Sequence, residues 1–164
     1  MMEQTLVLLK PDAVQRGLIG RIVQRFEDVG LKIVAAKMVQ SSREHSTTHY
    51  ADVGVRRGQK VLDQNVNFLA EGPVLALVLE GIHSIELVRK MIGSTEPKAA
   101  QPGTIRGDFS HQSYSWADSQ DMVIKNLIHA SSSQDDAKRE IALWFTSQEV
   151  HVYKTVHEKH TFGK

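Results

Sequence analysis

The residue best placed to do chemistry is His129, which follows the apolar pair Leu127-Ile128 and precedes Ser131, Ser132 and Ser133. An imidazole just beyond an apolar strand is held by a rigid frame below and open above, which suits a nucleophile or a proton carrier. Glu140 lies about two turns into the helix that the serines open, and can fold back to orient the ring. The segment 93–108 adds Thr95, Thr104 and Arg106, and Arg89 stands on the helix before it. Arginine forks and hydroxyls converging on a nucleophile match the oxygens of a phosphoryl group in charge and geometry. A second candidate is the pair His45 and His49, whose i, i+4 spacing on a helix is one that zinc uses. No carboxylate or third histidine is obviously placed to finish such a site, so the plainer reading is two solvated side chains, as for His151, His157 and His160. Arg106-Gly107-Asp108 spells an adhesion tripeptide, too short to carry weight. Neither a G-x-x-x-x-G-K-[ST] loop nor a G-x-G-x-x-G after a strand is present.

Composition narrows the setting. In 164 residues, 41% are hydrophobic and 24% charged, as in globular chains that bury a core without staples. Twenty Lys and Arg against nineteen Asp and Glu leave a net charge of +1, which gives no charge argument for a nucleic-acid or membrane partner. The chain has no cysteine, so thiol nucleophiles, disulfides and Cys-ligated metals are excluded. The first ten residues lack a basic region and a cleavage site, and Val74–Leu79 is far too short to span a bilayer. The expectation is a soluble, cytoplasmic protein.

The elements that must position His129 follow from periodicity. Gln4–Leu9 reads as a buried strand stopped by a turn at Lys10-Pro11-Asp12. Ile19, Ile22, Val23, Phe26 and Val29 recur at helical spacing, with Gly30 where a C-cap belongs. Leu31–Val39 reads as a second strand, Ser42 opens a helix to about Tyr50, and another covers Gln59–Leu69. Gly72-Pro73 precedes a third strand at Val74–Leu79, apolar on both faces. Ser84 is placed to N-cap a helix that Gly93 ends, and 93–108 reads as a long ordered loop. Val123–Ile128 reads as the fourth strand, ending at His129, and Ser133 caps a helix to about Phe145. The order β-α-β-(αα)-β-α-β predicts an α+β, ferredoxin-like β-α-β-β-α-β sandwich: a four-stranded antiparallel sheet with helices on one face, and added helices. Residues 1–164 form a single domain on this reading, with 150–164 a tail sparse in apolar residues that packs on a neighbour or frays.

Asn126-Leu-Ile-His129-Ala-Ser resembles the active-site signature of nucleoside diphosphate kinases. Lys10-Pro11-Asp12 and Gln15-Arg16-Gly17-Leu18-Ile19-Gly20 resemble the same family's opening, Glu96-Pro97 with Pro102–Phe109 a third block, and Glu140–Phe145 a fourth. The blocks stand in the family's order over nearly the whole chain. The resemblance implies a ping-pong transfer of the γ-phosphate of a nucleoside triphosphate to His129 and on to a nucleoside diphosphate. It implies that Arg89, Thr95 and Arg106 grip phosphates and that Lys10 reaches the transferring phosphate and the ribose hydroxyl. It also implies that Asn126 meets the ribose, that Tyr50 stands beside the nucleophile and that Glu140 holds its other nitrogen. Ser131 matches the family's serine. No protein ligand for metal is implied: Mg2+ arrives on the nucleotide phosphates. The family also implies a homo-oligomer, of undetermined order.

Three departures from the family stand out. Ala51–Asn67 holds no aromatic to stack on a base, and nearby Phe68 reads as core. Ser110–Met122, with Tyr114 and Trp116, is longer than the common form; it either rebuilds part of the base pocket or makes a subunit-contact hairpin. Ala130 and Ser132 replace the family's Gly and Asp, which leaves phosphate transfer untouched. Two other readings compete: a non-catalytic scaffold or nucleic-acid-binding member, and a histidine-phosphorylated regulator that passes phosphate to a protein. Arg16, Arg21 and Arg25 offer the former a basic face, but the strands lack exposed aromatics.

Overall fold

The computed structural model describes residues 1–163. In chain order the elements begin β1 (Met2–Leu9), α1 (Pro11–Gln15), α2 (Ile19–Asp28), β2 (Lys32–Gln40), α3 (Arg43–His49), α4 (Ala51–Arg57) and α5 (Gln59–Ala70). There follow β3 (Pro73–Ile82), α6 (Ser84–Ile92), a 3-10 turn (Pro97–Ala99), α7 (Ile105–Phe109) and α8 (Tyr114–Ser119). The chain continues through β4 (Ile128–Ala130), α9 (Gln134–Trp144), a second 3-10 turn (Ser147–Glu149) and α10 (Glu158–Thr161). The sheet runs β2-β3-β1-β4 with every pair antiparallel, the ferredoxin-like order.

Strand alternation gives the sheet two apolar faces. Val7, Leu9, Leu77 and Leu79 meet Ile22 and Phe26 of α2 and Val88 and Ile92 of α6. Leu6, Leu8, Ala76 and Val78 meet Leu62, Val66 and Leu69 of α5, with Trp144 and Phe145 from the end of α9. The helices of the basic motif thus cover one face, and the added helices cover the other. Two covered faces explain why β1 and β3 carry the unbroken apolar runs Leu6–Leu9 and Val74–Leu79.

Local chemistry accounts for most boundaries. Ser42 and Ser133 accept backbone N–H bonds from His45 and Asp136, and Gly30 takes φ +82° just past α2. Pro11 opens α1, so Lys10-Pro11-Asp12 leads into a short helix rather than a simple turn. Ser84 is not a cap: its hydroxyl bonds the Glu3 carbonyl, and His83 at φ 49° precedes the helix. The loop 93–108 is ordered by its 3-10 turn and by α7, where Thr104 accepts from Gly107 N–H at 3.1 Å and donates to Gln101 O at 2.6 Å. A Cβ on Gly107 would lie 2.1 Å from that Gln101 carbonyl, so only glycine fits.

The fourth strand differs most from expectation. Val123–Leu127 is not strand, and β4 is three residues with His129 at its centre, opposite Leu8. Leu127 takes φ 71°, and Ile128 N–H closes a three-residue turn on Asn126 O at 2.8 Å. Asp12 accepts the Leu127 N–H at 2.9 Å while the Leu127 carbonyl accepts from Lys10 N at 2.8 Å. An apolar run cannot reveal a turn whose backbone partners lie at the far end of the sequence. The tail folds back along β2: His151 N–H bonds Val34 O at 2.8 Å, and the Tyr153 hydroxyl bonds Ile33 O at 2.7 Å.

Candidate active site

A cavity of about 550 Å3 opens above β4, within the range of small-ligand sites. Lys10, Tyr50, Arg89, Thr95, Asn126, His129 and Glu140 all line it, so the fold brings together nearly every candidate site residue.

His129 is one-quarter exposed there. Its Nε2 lies 3.0 Å from Oε1 of Glu140, which is buried on α9. The other carboxylate oxygen accepts from the Ser131 hydroxyl at 2.6 Å, and that hydroxyl in turn accepts the Leu6 N–H at 3.2 Å. With Glu140 accepting at both oxygens, Nε2 of the neutral ring carries the proton. Nδ1 then holds the lone pair.

Lys10 stands at the end of β1 with its ammonium donating to Asn126 Oδ1. Burial pulls its pKa from 10.5 to about 8, against the raising effect of Asp12. The Asn126 amide donates to Thr95 O at 2.7 Å, so one side chain ties the strand end to the loop after α6. The buried Tyr50 ring is edge-on to His129 at 6.4 Å between centroids, and burial raises its hydroxyl's pKa.

Arg106 is the exception. It is 3% exposed and does not line the cavity. Its Nε, NH1 and NH2 groups donate to the carbonyls of Asn126 at 3.1 Å, Gly93 at 2.9 Å and Ile128 at 2.5 Å. It clamps the turn that carries the chain into His129, with two of five N–H groups left over. Burial and the nearby Arg89 lower its pKa to about 10. So buried an arginine cannot act as an adhesion tripeptide, and Asp108 is engaged by Arg25 and Gly103 N–H.

His49 is the residue that sequence reading misplaced. It is 2% exposed, not solvated, and its ring stands 4.6 Å from that of His129. A ring nitrogen of His49, one of His129 and an oxygen of Glu140 lie within 4.8 Å of one another, a grouping of metal-ligand types. His45 instead packs edge-on to Trp144, while His151, His157 and His160 are exposed as expected.

The cavity is also lined by Val53, Asp52, Arg56 and Arg57 of α4, by Val61, Gln64 and Asn65 of α5, and by Tyr114, Ala117, Asp118 and 122–124. Phe68 is core, under the ammonium groups of Lys10 and Lys125. The segment 110–122 forms the short helix α8 against the cavity, not a hairpin. Lys60 and Gln64 of α5 hold Asp121 at its end. Trp116 is 55% exposed and does not line the cavity; Tyr114 does. Ser132, in place of the family's Asp, donates to Asp136 on α9, so a carboxylate still lines this part of the wall.

The family model described as nucleoside diphosphate kinase matches residues 3–150. A nucleoside diphosphate kinase of Borreliella burgdorferi is 47% identical over 156 residues, covering 94% of this chain and 93% of that one. A solved structure described as a transition state mimic of the Borrelia burgdorferi enzyme, with bound vanadate and ADP, superposes with a TM-score of 0.96. Its identity to this chain is 45%, with 98% of this chain and 97% of that one covered. A halophilic nucleoside diphosphate kinase from Halobacterium salinarum in complex with CDP gives 0.85 at 37% identity, covering 98% and 99% of the two chains.

Proposed function

Because this chain belongs to the nucleoside diphosphate kinase family, and so moves a phosphate from a nucleoside triphosphate to a nucleoside diphosphate, we propose that His129 is the residue that carries it between them. The observation that supports this most is the pairing of His129 Nε2 with Glu140 inside a cavity rich in cationic and polar groups. The Nδ1 lone pair attacks the γ-phosphorus, the bond to the bridging oxygen breaks, and that electron pair leaves with the nucleoside diphosphate. Nε2–H stays on Glu140, whose charge offsets the positive charge gained by the phosphorylated ring. A different nucleoside diphosphate then enters, and its terminal oxygen takes the phosphate back off Nδ1.

Phosphoryl transfer asks a protein mainly for position and charge. Lys10 and Arg89 supply positive charge at the phosphates, and Thr95 a hydroxyl. Asn126 fixes Lys10 and keeps one N–H and one oxygen lone pair for the ribose. Arg106 acts behind the wall, holding the turn before His129 and adding charge beside Arg89. The base lies beside Tyr114, among Val53, Val61 and Ile124.

Magnesium prefers six oxygens, whereas the histidine pair with Glu140 offers mostly nitrogen. The cation is read as part of the substrate, bridging nucleotide phosphates and neutralising their charge. Residues 1–164 are read as a single domain, cytoplasmic and homo-oligomeric by family resemblance. Among the described residues no helix is long and apolar enough to cross a membrane. Helices cover both faces of the sheet, so the platform that a strand-based RNA reader needs is occupied.

The test is phosphoenzyme formation from γ-labelled ATP with magnesium, followed by a chase with unlabelled GDP under conditions that spare acid-labile phosphohistidine. Label on the wild type, absent from His129→Ala and discharged into GTP, is expected. Label that persists in His129→Ala would remove His129 from the role.

A further inference from the structure

His49 is a buried titratable residue that this mechanism does not use. Its Nδ1 lies 3.2 Å from the indole Nε1 of Trp144. An indole nitrogen only donates, so Nδ1 of His49 is the acceptor and the proton of the neutral ring sits on Nε2. That Nε2 is buried and has no hydrogen-bond partner among the described residues. Fixing the proton there also removes the lone pair a metal would need, so the convergence with His129 and Glu140 is not a metal centre.

The arrangement has a mechanical result. The His49 ring stands across that of His129 at 82° and 4.6 Å, with Tyr50 edge-on to His49 at 4.7 Å and Trp144 edge-on at 5.7 Å. Glu140 holds His129 by a single hydrogen bond, about which the imidazole could still swivel. We propose that His49 is a positioning residue for the nucleophile: Trp144 fixes its tautomer, and the fixed neutral ring is the wall that keeps the His129 imidazole aligned on Glu140. The proposal rests on reading His129 as the phosphate carrier.

Neutrality of the wall matters because phosphorylation places positive charge on the neighbouring ring. Burial is the main cause that lowers the His49 pKa well below its ordinary value, and His129, Arg139, His45 and Lys10 push the same way. The Glu140 carboxylate is the anionic group nearby, and its oxygens are already engaged by His129 and Ser131. Tyr50 stays neutral because burial and the charges of Glu140 and Asp12 raise its pKa.

Two variants test this through the single-turnover rate of His129 phosphorylation by ATP-magnesium, measured across pH. His49→Phe keeps an aromatic wall without its nitrogens, and Trp144→Phe removes the indole N–H. His49→Phe should phosphorylate about tenfold more slowly at every pH, in the range seen when an outer partner of a reactive histidine is lost, with KM for ATP changed less than twofold. Trp144→Phe frees Nδ1 to take a proton, so the acid-side fall in rate should move to higher pH. A merely structural role would lower Tm and leave the shape of the pH profile alone. His49→Phe within twofold of wild type, or a Trp144→Phe profile that superposes on wild type, would overturn the proposal. If His49→Phe fails to fold, the Trp144→Phe profile decides. Wild type that labels somewhere other than His129 would instead sink the reading of the nucleophile, and this proposal with it.

Discussion

Glu140 meets His129 Nε2 at 3.0 Å with one carboxylate oxygen and the Ser131 hydroxyl at 2.6 Å with the other. Because Ser131 also caps the Leu6 N–H of the central strand, the orientation of the nucleophile is tied to the rigid core. The carboxylate that meets Nε2 is therefore in place before any nucleotide arrives, as preorganised phosphoryl transfer requires.

Replacing Glu140 with alanine should slow phosphoenzyme formation by roughly ten- to a hundredfold with little change in KM. The Ser131 hydroxyl would lose its acceptor, so stability should fall as well, by about 1–3 kcal/mol. Rapid-quench labelling and thermal unfolding measure the two effects separately. An unchanged labelling rate would take Glu140 out of the site.

Lys10 should give the free enzyme an alkaline limit. With its pKa drawn down to about 8 by burial, kcat/KM should fall as pH rises past 8, because that ratio reports the free enzyme. Nucleotide phosphates favour the charged form, so the corresponding limb in kcat should lie at higher pH. Stability runs the other way. Between about 8 and 10.5 the unfolded chain binds more protons at Lys10 than the folded one, so this group's contribution to stability rises with pH there. Lys10→Met should remove both dependences, as read by pH-rate profiles and denaturant titrations.

Tyr114→Ala should raise KM for ATP about tenfold, the scale of one lost base–aromatic contact, with kcat less affected. Trp116→Phe should leave KM unchanged, since Trp116 is exposed and does not line the cavity. Steady-state kinetics of the pair decide whether α8 touches the base. Equal KM values for both variants and wild type would show that it does not.

Arg106→Ala removes three charge-assisted bonds to carbonyls and leaves the turn before His129 unsupported. A loss of about 3 kcal/mol, or roughly 10 °C in Tm, is expected. Nucleotide binding and transfer should weaken together in protein that remains folded. Calorimetry showing an unchanged Tm would mean that the buried clamp contributes nothing net.

The sequence by itself determined the elements whose signals are local. Apolar runs and periodicity located β1, β2, β3, α2, α5 and α9, and Ser42, Gly30 and Ser133 marked ends because caps act on backbone groups a few residues away. The family resemblance likewise pointed to His129 and to six other residues that line the same cavity. Tertiary structure decided what depends on partners distant in the chain. Whether Val123–Leu127 is strand turned on Lys10 and Asp12, which bind the backbone of Leu127 and force its positive φ. Whether Arg106 faces the cavity or the carbonyls behind it depended on where the 93–108 loop meets the turn. His49 looked like half of an exposed pair because helical spacing cannot report that its ring inserts between Trp144 and His129. A tautomer, a buried clamp and a cavity wall are properties of atoms brought together by the folded chain, and no spacing along the chain encodes them.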